Sequence, residues 1–485
     1  MSLQPNWVFC AKAPVAAYTR RPDVHFHELP DWAEATTALI TLRSLFYQSG
    51  LDRLHYGSEN WNPLGGIIKE GDKVVIKPNW VTHQNGSGQG LDCLVTHTSV
   101  IEGMLHYVVK ARAQCIIVAD APIQGCDFNA LMAQCCVPEM VDQFAVNGVN
   151  VVLKDLRRTV LHRETLGEQA QEGCRPMEDY ILYNLGCDSL LEPITTPKCE
   201  FRVTMYNPDY LKQTHGPGKH QYLVARDVIE ADVVFNVPKL KTHKKACITG
   251  ALKNLVGING HKEYLPHHRK GGSQNGGDCY LGRSYVKALV EDLLDATNRN
   301  KGIVTRKLLA NIVRAGMALG KIAGINNNYD GSWYGNDTVW RMALDLQRVL
   351  HYGRVDGTLS DHLQRRVLTI TDGIIAGQGE GPLAPLPVEF GIMTLGTNTA
   401  AVDWVHSLLM GLDPHHIPLT RESFMFYRYP LTNFPPEEIV IRVDGQLIPA
   451  ADLFLQHGRR FRLPNGWGQS SSYLDCISST YEEPA

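Results

Sequence analysis

The sequence predicts an α/β protein in which a mostly parallel sheet is covered by helices on both faces. Short apolar segments rich in Val and Ile alternate with longer amphipathic segments, a pattern typical of strand–helix–strand units. Several of the apolar segments end in Asn, Asp or Pro, so polar side chains collect where the predicted strands finish. Two long stretches interrupt the alternation, and we expect both to be insertions.

The predicted strands are short and bounded by turn residues. They cover residues 8–18, 73–77, 115–119, 149–153, 232–237, 366–370 and 391–395. A β-hairpin is predicted over residues 438–448, because Asp444 and Gly445 form a dipeptide that suits a tight two-residue turn.

The predicted helices carry apolar residues at helical spacing. They cover residues 30–54, 96–111, 128–135, 136–146, 246–256, 281–296, 306–322 and 400–410. Asp31 is the predicted cap of the first helix and Thr96 or Thr98 of the second, since both residue types accept hydrogen bonds from free backbone amides.

Five regions follow from this pattern. Residues 1–153 form a first α/β part, and residues 154–226 form an insertion expected near the rim of the site. Residues 227–270 contain a central strand, a Lys/His loop and a helix, residues 271–365 form a helical insertion, and residues 366–485 form a closing α/β part with the C-terminal hairpin.

The composition argues against several classes of protein. The net charge of −3 over 485 residues gives no global field for nucleic acid, and no apolar run is long enough to cross a membrane. The first residues lack the basic and apolar segments of a secretory signal. The 12 cysteines are scattered without a CxxC pair, which favours reduced thiols, a cytoplasmic location and no iron–sulfur cluster.

A basic segment, KLKTHKK, directly follows the strand predicted at 232–237. If it stays extended, Lys239, Lys241, His243 and Lys245 lie on one face because side chains alternate along a strand. Such a row is a receptor for phosphate or carboxylate. Lys253 and Asn254 follow on the next predicted helix. The alternative is a solvated basic loop.

Four other polar residues stand at strand ends, where open α/β sheets bind ligands. They are Asn79, Asp120, Asn236 and Asp372, with Lys77 and Lys239 beside two of them. We expect these ends to share one cleft in which Lys239, His243, Asp120 and Asp372 converge. His97 and Lys253 should face the cleft, and His215 or Lys219 of the 154–226 insertion should lie at its rim.

The basic segment also belongs to a set of motifs found in a known family. NVPKLKTH, LKNLVGI and GHKEYLPHH occur in this order from Asn236 onward, and VVIKPNWV, VTHTSVIEG, VADAPIQGCDF, TDGIIAGQGEGP and NTAAVDWVHSLLMGLDPHHIP occur in the expected places. Together they resemble the domain of unknown function 362 (DUF362) family over most of residues 71–418. Some members of that family carry a ferredoxin-like cluster domain, whose cysteine spacing this sequence lacks. The resemblance implies a fold and a site more than a reaction.

Two mechanisms fit these residues. In one, Lys77, Asn79, Asn236, Lys239, Lys253, Asn254 and Asp372 bind a small anionic metabolite, while His243, His97, Asp120 and Lys241 carry out acid–base catalysis. In the other, Asp120, Asp372 and His97 bind a divalent metal ion. A non-catalytic protein that binds an anionic metabolite or a metal is a third reading. Nickel-pincer lactate racemase offers an analogy for racemase or epimerase chemistry at the level of fold only. The sequence leaves the oligomeric state open.

Overall fold

The computed structural model describes residues 3–161, 171–172, 175–198, 200–203, 206–322 and 329–467. The predicted α/β class is confirmed, because a mixed and mainly parallel sheet runs through the described chain with helices packed on both of its faces. Eleven strands of the described residues make up this sheet.

The strands of the central sheet are numbered along the chain. They are β1 (Trp7–Lys12), β2 (Lys73–Pro78), β3 (Cys115–Asp120), β4 (Val151–Asp155), β5 (Val233–Val237), β6 (Lys239–His243), β7 (Cys247–Thr249), β8 (Arg366–Glu380), β9 (Ala384–Gly396), β10 (Val440–Val443) and β11 (Gln446–Ile448). Their order across the sheet is β11-β10-β1-β9-β8-β5-β2-β3-β4, and β6 pairs with β7 and with the second half of β8. Strands β8, β5, β2, β3 and β4 are parallel neighbours, so their carboxyl ends share one edge.

The helices are numbered in the same way. They are α1 (Thr37–Gln48), α2 (Thr98–Lys110), α3 (Phe128–Gln134), α4 (Val137–Val146), α5 (Pro208–Thr214), α6 (Arg226–Ile229), α7 (Ala251–Asn254), α8 (Tyr285–Arg299), α9 (Ile303–Ile322), α10 (Val339–Tyr352), α11 (Thr399–Leu409), α12 (Pro418–Glu422) and α13 (Ala450–His457).

Alternation along the strands divides the core between the two faces of the sheet. Val74 and Ile76 of β2 pack with α1, α2 and α4, whereas Val75 packs on the opposite face with the insertion and with α10. On that second face Lys77, Asn236 and Thr369 are neighbours in register on β2, β5 and β8. A polar row therefore crosses three buried strands, near the carboxyl ends of β2 and β5 and in the first half of β8.

The first insertion contributes a small antiparallel sheet of Tyr180–Asn184, Lys219–Ala225 and His215–Gly216. The second insertion contains α8, α9 and α10. The two are joined by a buried ion pair, in which Arg202 donates to both carboxylate oxygens of Asp295 at 2.8 Å. The boundaries of the five sequence regions stay a prediction.

The basic segment forms a strand rather than a loop. Residues 239–243 are β6, which pairs with β8 and β7, and all five are buried. The helix predicted over 246–256 is replaced by β7, the short helix α7 and a 3₁₀ turn at Leu255–Ile258. Pairing of β7 with β6 accounts for the strand at Cys247–Thr249, because local helix preference is weaker than burial in a sheet.

Two further elements differ from the prediction in their bounds, and a third agrees with it. β8 runs from Arg366 to Glu380, ten residues beyond the predicted end, because its glycine-rich second half pairs with β6 and β9. Helix α1 begins at Thr37 and is capped by Thr36, not by Asp31, since a bridge to Arg20 holds Thr36 extended. The C-terminal hairpin is confirmed, with Asp444 and Gly445 at positive φ in its turn.

Candidate functional site

A hydrogen-bonded polar network joins the carboxyl ends of β2 and β5 to helix α7. The side-chain oxygen of Asn254 accepts from Lys77 Nζ at 2.9 Å and from Asn79 Nδ2 at 3.0 Å, while its Nδ2 donates to Asn236 Oδ1 at 2.8 Å. Asn236 in turn donates to the carbonyl oxygen of Ala251 at 3.0 Å. These bonds hold α7 against the strand ends and orient its side chains.

Lys77 and Asp120 form a buried ion pair at the ends of β2 and β3. Their Nζ and Oδ1 atoms are 2.7 Å apart. Asp120 also accepts from the backbone amides of Trp80, at 2.7 Å, and Ala121, at 2.8 Å. The turn after α7 approaches this pair so closely that a Cβ at Gly257 would lie 2.1 Å from Asp120 Oδ1. Only glycine fits at this position.

A second buried ion pair lies at the junction of β6 and β8. Lys239 Nζ is 2.6 Å from Asp372 Oδ2, and both side chains are fully buried. Tyr18 accepts from Lys239 at 2.7 Å and donates to Asp372 at 2.6 Å. His97 donates its backbone amide to Asp372 at 3.0 Å and stacks its ring on Tyr18 at 3.7 Å. This network neutralises Lys239 and Asp372 within the fold.

Lys241 lies between the two ion pairs without a carboxylate partner of its own in the described chain. Its amine is fully buried and donates to the carbonyl oxygen of Leu94. Burial and then the nearby Lys239 lower the pKa of Lys241 to about 7. Lys241 is therefore the least stabilised cation of β6.

A cavity of about 410 Å³ opens beside the Lys77–Asp120 pair, and we call it the basic cavity. Its titratable lining residues are Lys77, Lys244, Lys245, Lys253, Lys262, His243, His267, Asp120 and Asp330. Five lysines thus face two aspartates. Its volume is in the range of pockets that bind small molecules. The walls come from β2, β3, β6, α7 and the first insertion, which contributes Val203 and Tyr206.

The amine of Lys253, in the wall of the basic cavity, has no hydrogen-bond or ion-pair partner in the described chain. Burial, then repulsion by Lys262, Lys245 and Lys77, lowers the pKa of Lys253 to about 7. Lys262 differs, because its amine donates to the carbonyl oxygen of Ala121 at 2.9 Å. Its pKa is lowered to about 8, chiefly by burial. An anion in this cavity would relieve the repulsion around Lys253.

His243 lines the same cavity as a neutral ring. Its Nδ1 accepts from the backbone amides of Lys245, at 3.0 Å, and Ala246, at 3.2 Å. Burial and the neighbouring lysines, Lys253 first, hold the pKa of His243 well below its usual value. With Nδ1 accepting, the proton of the neutral ring is on Nε2.

Two polar atoms of the cavity wall have no hydrogen-bond partner among the described residues. They are Oδ1 of Asn79 and the hydroxyl of Thr249, and both residues are buried. Buried polar atoms are normally paired, so unpaired ones in a cavity wall indicate the positions of ligand groups.

His97 lines a different cavity, of about 340 Å³, together with Tyr18, Arg20, Glu102 and Cys135. It caps helix α2, and its Nδ1 is 2.8 Å from the hydroxyl of Ser99. The structure thus separates His97 from His243.

Comparison with known proteins relates part of this chain to a known family. The model of a domain of unknown function (DUF362) matches residues 184–407, somewhat less than half of the chain. A thylakoid-associated protein of Synechocystis sp. is 22% identical over 379 residues, which are 78% of this chain and 75% of that protein. A crystal structure of a protein from Thermotoga maritima aligns with a TM-score of 0.30 at 11% identity, covering 74% of this chain and 57% of that one.

The DUF362 match contains only part of the basic cavity. Lys245, Lys253 and His243 lie within residues 184–407, whereas Lys77, Asn79 and Asp120 precede them. The cavity is therefore completed by strands outside the matched stretch. No helix of the described residues is long and apolar enough to span a bilayer.

The structure distributes the predicted site residues over three environments. Lys77, Asn79, Asp120, His243, Lys253 and Asn254 line the basic cavity. Asn236, Lys239, Lys241 and Asp372 are buried and line neither cavity, and His97 lines the second one. Of the four side chains expected to converge in one cleft, only His243 and Asp120 line the basic cavity. Lys239 and Asp372 instead form a buried ion pair with each other. His215 and Lys219 do not line the basic cavity, whereas Val203 and Tyr206 of the same insertion do.

The metal-ligand set predicted from the sequence is not assembled in the described residues. Asp120 and Asp372 are each paired with a lysine, and His97 is on the wall of the second cavity. The sequence interpretation also missed Lys262, His267 and Tyr18. Of these, Lys262 and His267 stand in the GHKEYLPHH motif, whose basic residues were the available signal.

Proposed function

We propose that the chain is an enzyme that binds a small anionic metabolite in the basic cavity and acts on it by acid–base chemistry. The observation that carries the proposal is the excess of five lysines over two aspartates around the cavity, with the amine of Lys253 unpaired in the described chain. A carboxylate or phosphate group fits this field, since Lys244, Lys245, Lys262 and the protonated fraction of Lys253 supply positive charge to it, while the neutral fraction of Lys253 stays available as a base.

The unpaired wall atoms restrict the ligand further. Asn79 Oδ1 accepts hydrogen bonds only, so it calls for a donor on the ligand. The Thr249 hydroxyl can donate or accept. An anion that also carries a hydroxyl or amino group, such as a hydroxy acid, an amino acid or a sugar phosphate, satisfies both requirements.

Lys253 is the best-suited proton acceptor in this proposal. A pKa of about 7 leaves a substantial fraction of its amine unprotonated at neutral pH, which a general base requires. His243 then acts as a hydrogen-bond donor through its protonated Nε2 and stabilises negative charge that develops on the substrate. This division reverses the sequence-based expectation that His243 is the acid or base.

The first experiment identifies and localises the ligand. Metabolites released from the purified full chain by denaturation are analysed by mass spectrometry, and binding of succinate and inorganic phosphate is measured by calorimetry. Lys253→Met should weaken anion binding by roughly 10- to 100-fold, as expected for a lost charge-assisted hydrogen bond. Lys69→Met, which removes an exposed lysine remote from the cavity lining, is the matched control and should leave the affinity unchanged.

A second experiment separates an enzyme from a binding protein. The extracted metabolite is incubated with the chain in D₂O, and deuterium uptake at carbon is followed by NMR. Uptake that disappears in Lys253→Met supports proton abstraction, the step that racemases and epimerases share. Tight binding without uptake or turnover would favour the non-catalytic alternative, and unchanged affinity in a folded Lys253→Met would refute the site.

A further inference from the structure

Three side chains of different chemistry meet where the central region adjoins the second insertion, outside the lining of the basic cavity. They are His268, on the short strand His268–Arg269, Cys279, in the loop that follows, and Glu291, on α8. One ligand atom of each lies within 4.8 Å of the other two, and all three residues are buried. Among the described residues, this is the one set of three His, Cys, Asp or Glu side chains whose ligand atoms lie so close together.

The spacing is close to that of a bound zinc ion. Ligand atoms about 2.0–2.3 Å from a tetrahedral zinc lie about 3.3–3.8 Å from one another. A contraction of about 1.0–1.5 Å at most would therefore close the group, and small rotations of the three side chains would supply it. Imidazole nitrogen, thiolate sulfur and carboxylate oxygen are all zinc ligands, and this mixed set favours zinc over magnesium or calcium.

Two independent features point to an occupant. The Nδ1 atom of His268 is buried and has no hydrogen-bond partner among the described residues, and the same holds for the hydroxyl of Tyr329. His268, Glu291 and Tyr329 also line a small cavity of about 20 Å³, which has room for one water-sized species. A buried imidazole nitrogen and a phenol, on two residues that line the same small cavity, thus lack the partner that buried polar atoms normally have.

The surroundings tolerate a divalent cation. Arg202 and Lys270, which also line the small cavity, are each paired with Asp295 at 2.8–3.0 Å. Glu291 accepts from the backbone amide of Gly271 at 3.0 Å and 3.2 Å, and a carboxylate retains further lone pairs for a metal. With a thiolate and a carboxylate as ligands, the two charges of the ion would be balanced.

We propose that His268, Cys279 and Glu291 bind one zinc ion. The thiol proton of Cys279 is released to solvent when the sulfur binds the ion. Three protein ligands leave a fourth position, which a water in the small cavity would occupy. The ion would join α8 to the loop and to the strand His268–Arg269, one residue from His267 in the wall of the basic cavity. Its role would be to hold the second insertion against that wall.

The test is metal binding by the untagged full chain. Elemental analysis after expression in zinc-supplemented medium should find about one zinc per chain. Cys279→Ala should weaken zinc affinity, measured by chelator competition, on the order of 100-fold, since one of three ligands is lost. Cys10→Ala is the matched control, because Cys10 is equally buried but lies in β1, and it should retain the metal.

Cobalt substitution identifies the sulfur ligand directly. The cobalt-loaded chain should show a thiolate charge-transfer band in the near ultraviolet that is absent in Cys279→Ala and present in Cys10→Ala. Should Cys279→Ala fail to fold, Glu291→Gln tests the same affinity, with a comparable loss expected. Zinc below about 0.1 per chain after reconstitution, or an affinity unchanged in folded Cys279→Ala and Glu291→Gln, would overturn the proposal.

Discussion

Individual charged residues in this fold differ in whether the chain neutralises them. Lys239 and Asp372 satisfy each other completely inside the sheet, whereas Lys241, which is buried, and Lys253, which is partly buried, have no carboxylate partner in the described chain. Burying a paired charge costs little, while burying an unpaired one costs stability. The unpaired amines are thus where the chain gives up stability, and such positions often carry function.

We expect Lys241 to make stability depend on pH. Its pKa is lowered to about 7 in the fold, chiefly by burial, against about 10.4 in the unfolded chain. Between these values the unfolded state binds more protons, so the free energy of unfolding rises with pH, and the full cost is present below pH 7. The free energy of unfolding of Lys241→Met should therefore exceed that of the wild type by at least about 1 kcal/mol at pH 6, and most of this difference should be gone by pH 9.5, since the rest disappears only above the unfolded-state pKa.

Urea denaturation at the two pH values measures this difference. Lys69→Met, at an exposed lysine, should show no such pH dependence. If Lys241→Met and the wild type differ in free energy of unfolding by the same amount at pH 6 and at pH 9.5, the result would contradict the burial of a charged amine at Lys241.

The Lys239–Asp372 pair should behave as a unit. Asp372→Asn leaves the Lys239 cation buried without its counter-charge and should cost about 3–5 kcal/mol of unfolding free energy. Adding Lys239→Met removes the orphaned cation, so the double variant should recover at least half of that loss. A double variant whose loss equals or exceeds the sum of the single losses would show that the pair is not coupled in this way.

At the scale of elements, the turn after α7 determines the shape of the basic cavity. Asn254 ties α7 to β2 and β5, and Gly257 lets the following turn touch the Lys77–Asp120 pair. Asp403 of α11 supports the same segment, since its carboxylate accepts from the amides of Ala251 and Leu252. The cavity wall is therefore held from both sides.

Gly257→Ala should disrupt this contact. The new Cβ would lie 2.1 Å from Asp120 Oδ1 and 2.7 Å from Lys77 Nζ, so the ion pair or the turn must move. We expect a loss of about 2–4 kcal/mol in urea denaturation, together with weaker anion binding. Gly66→Ala is the control, because a Cβ there meets nothing within 4 Å, and it should change stability by less than about 1 kcal/mol. Equal effects of the two substitutions would be inconsistent with the tight packing at Gly257.

At the scale of the whole molecule, the two ends of the chain are joined in the sheet. Strand β1 lies between β9, with which it is antiparallel, and β10, with which it is parallel. Val8, Phe9, Cys10 and Ala11 of β1 are almost completely buried. The N-terminal strand thus connects the hairpin of β10 and β11 to the rest of the sheet.

Removal of β1 should therefore destabilise the whole chain. A chain that begins at Pro14 loses two strand ladders and the burial of Val8 and Phe9, and we expect a cost of more than about 5 kcal/mol, visible as a lower urea midpoint or as insolubility. A chain that begins at Gln4 retains β1 and should unfold like the full chain. If the two truncated chains have the same midpoint, β1 is not the connection that the sheet order indicates.

The sequence alone determined the α/β class, the positions of most parallel strands and the polar character of their ends. These features depend on local patterns: apolar runs end at Asn79, Asp120 and Asn236, and the Asp444–Gly445 dipeptide specifies its own turn. The basic cavity also contains six of the predicted site residues, together with Lys245 of the basic segment.

Only the tertiary structure decided which of the predicted side chains are available to a ligand. Lys239 and Lys253 look alike in the sequence, yet Lys239 meets Asp372 across a strand pair and Lys253 meets further lysines. The same holds for the extended β8 and for His268, Cys279 and Glu291, which are brought together from three elements. Charge pairing and ligand geometry depend on distances between segments that are far apart in the chain, and local residue patterns carry no information about those distances.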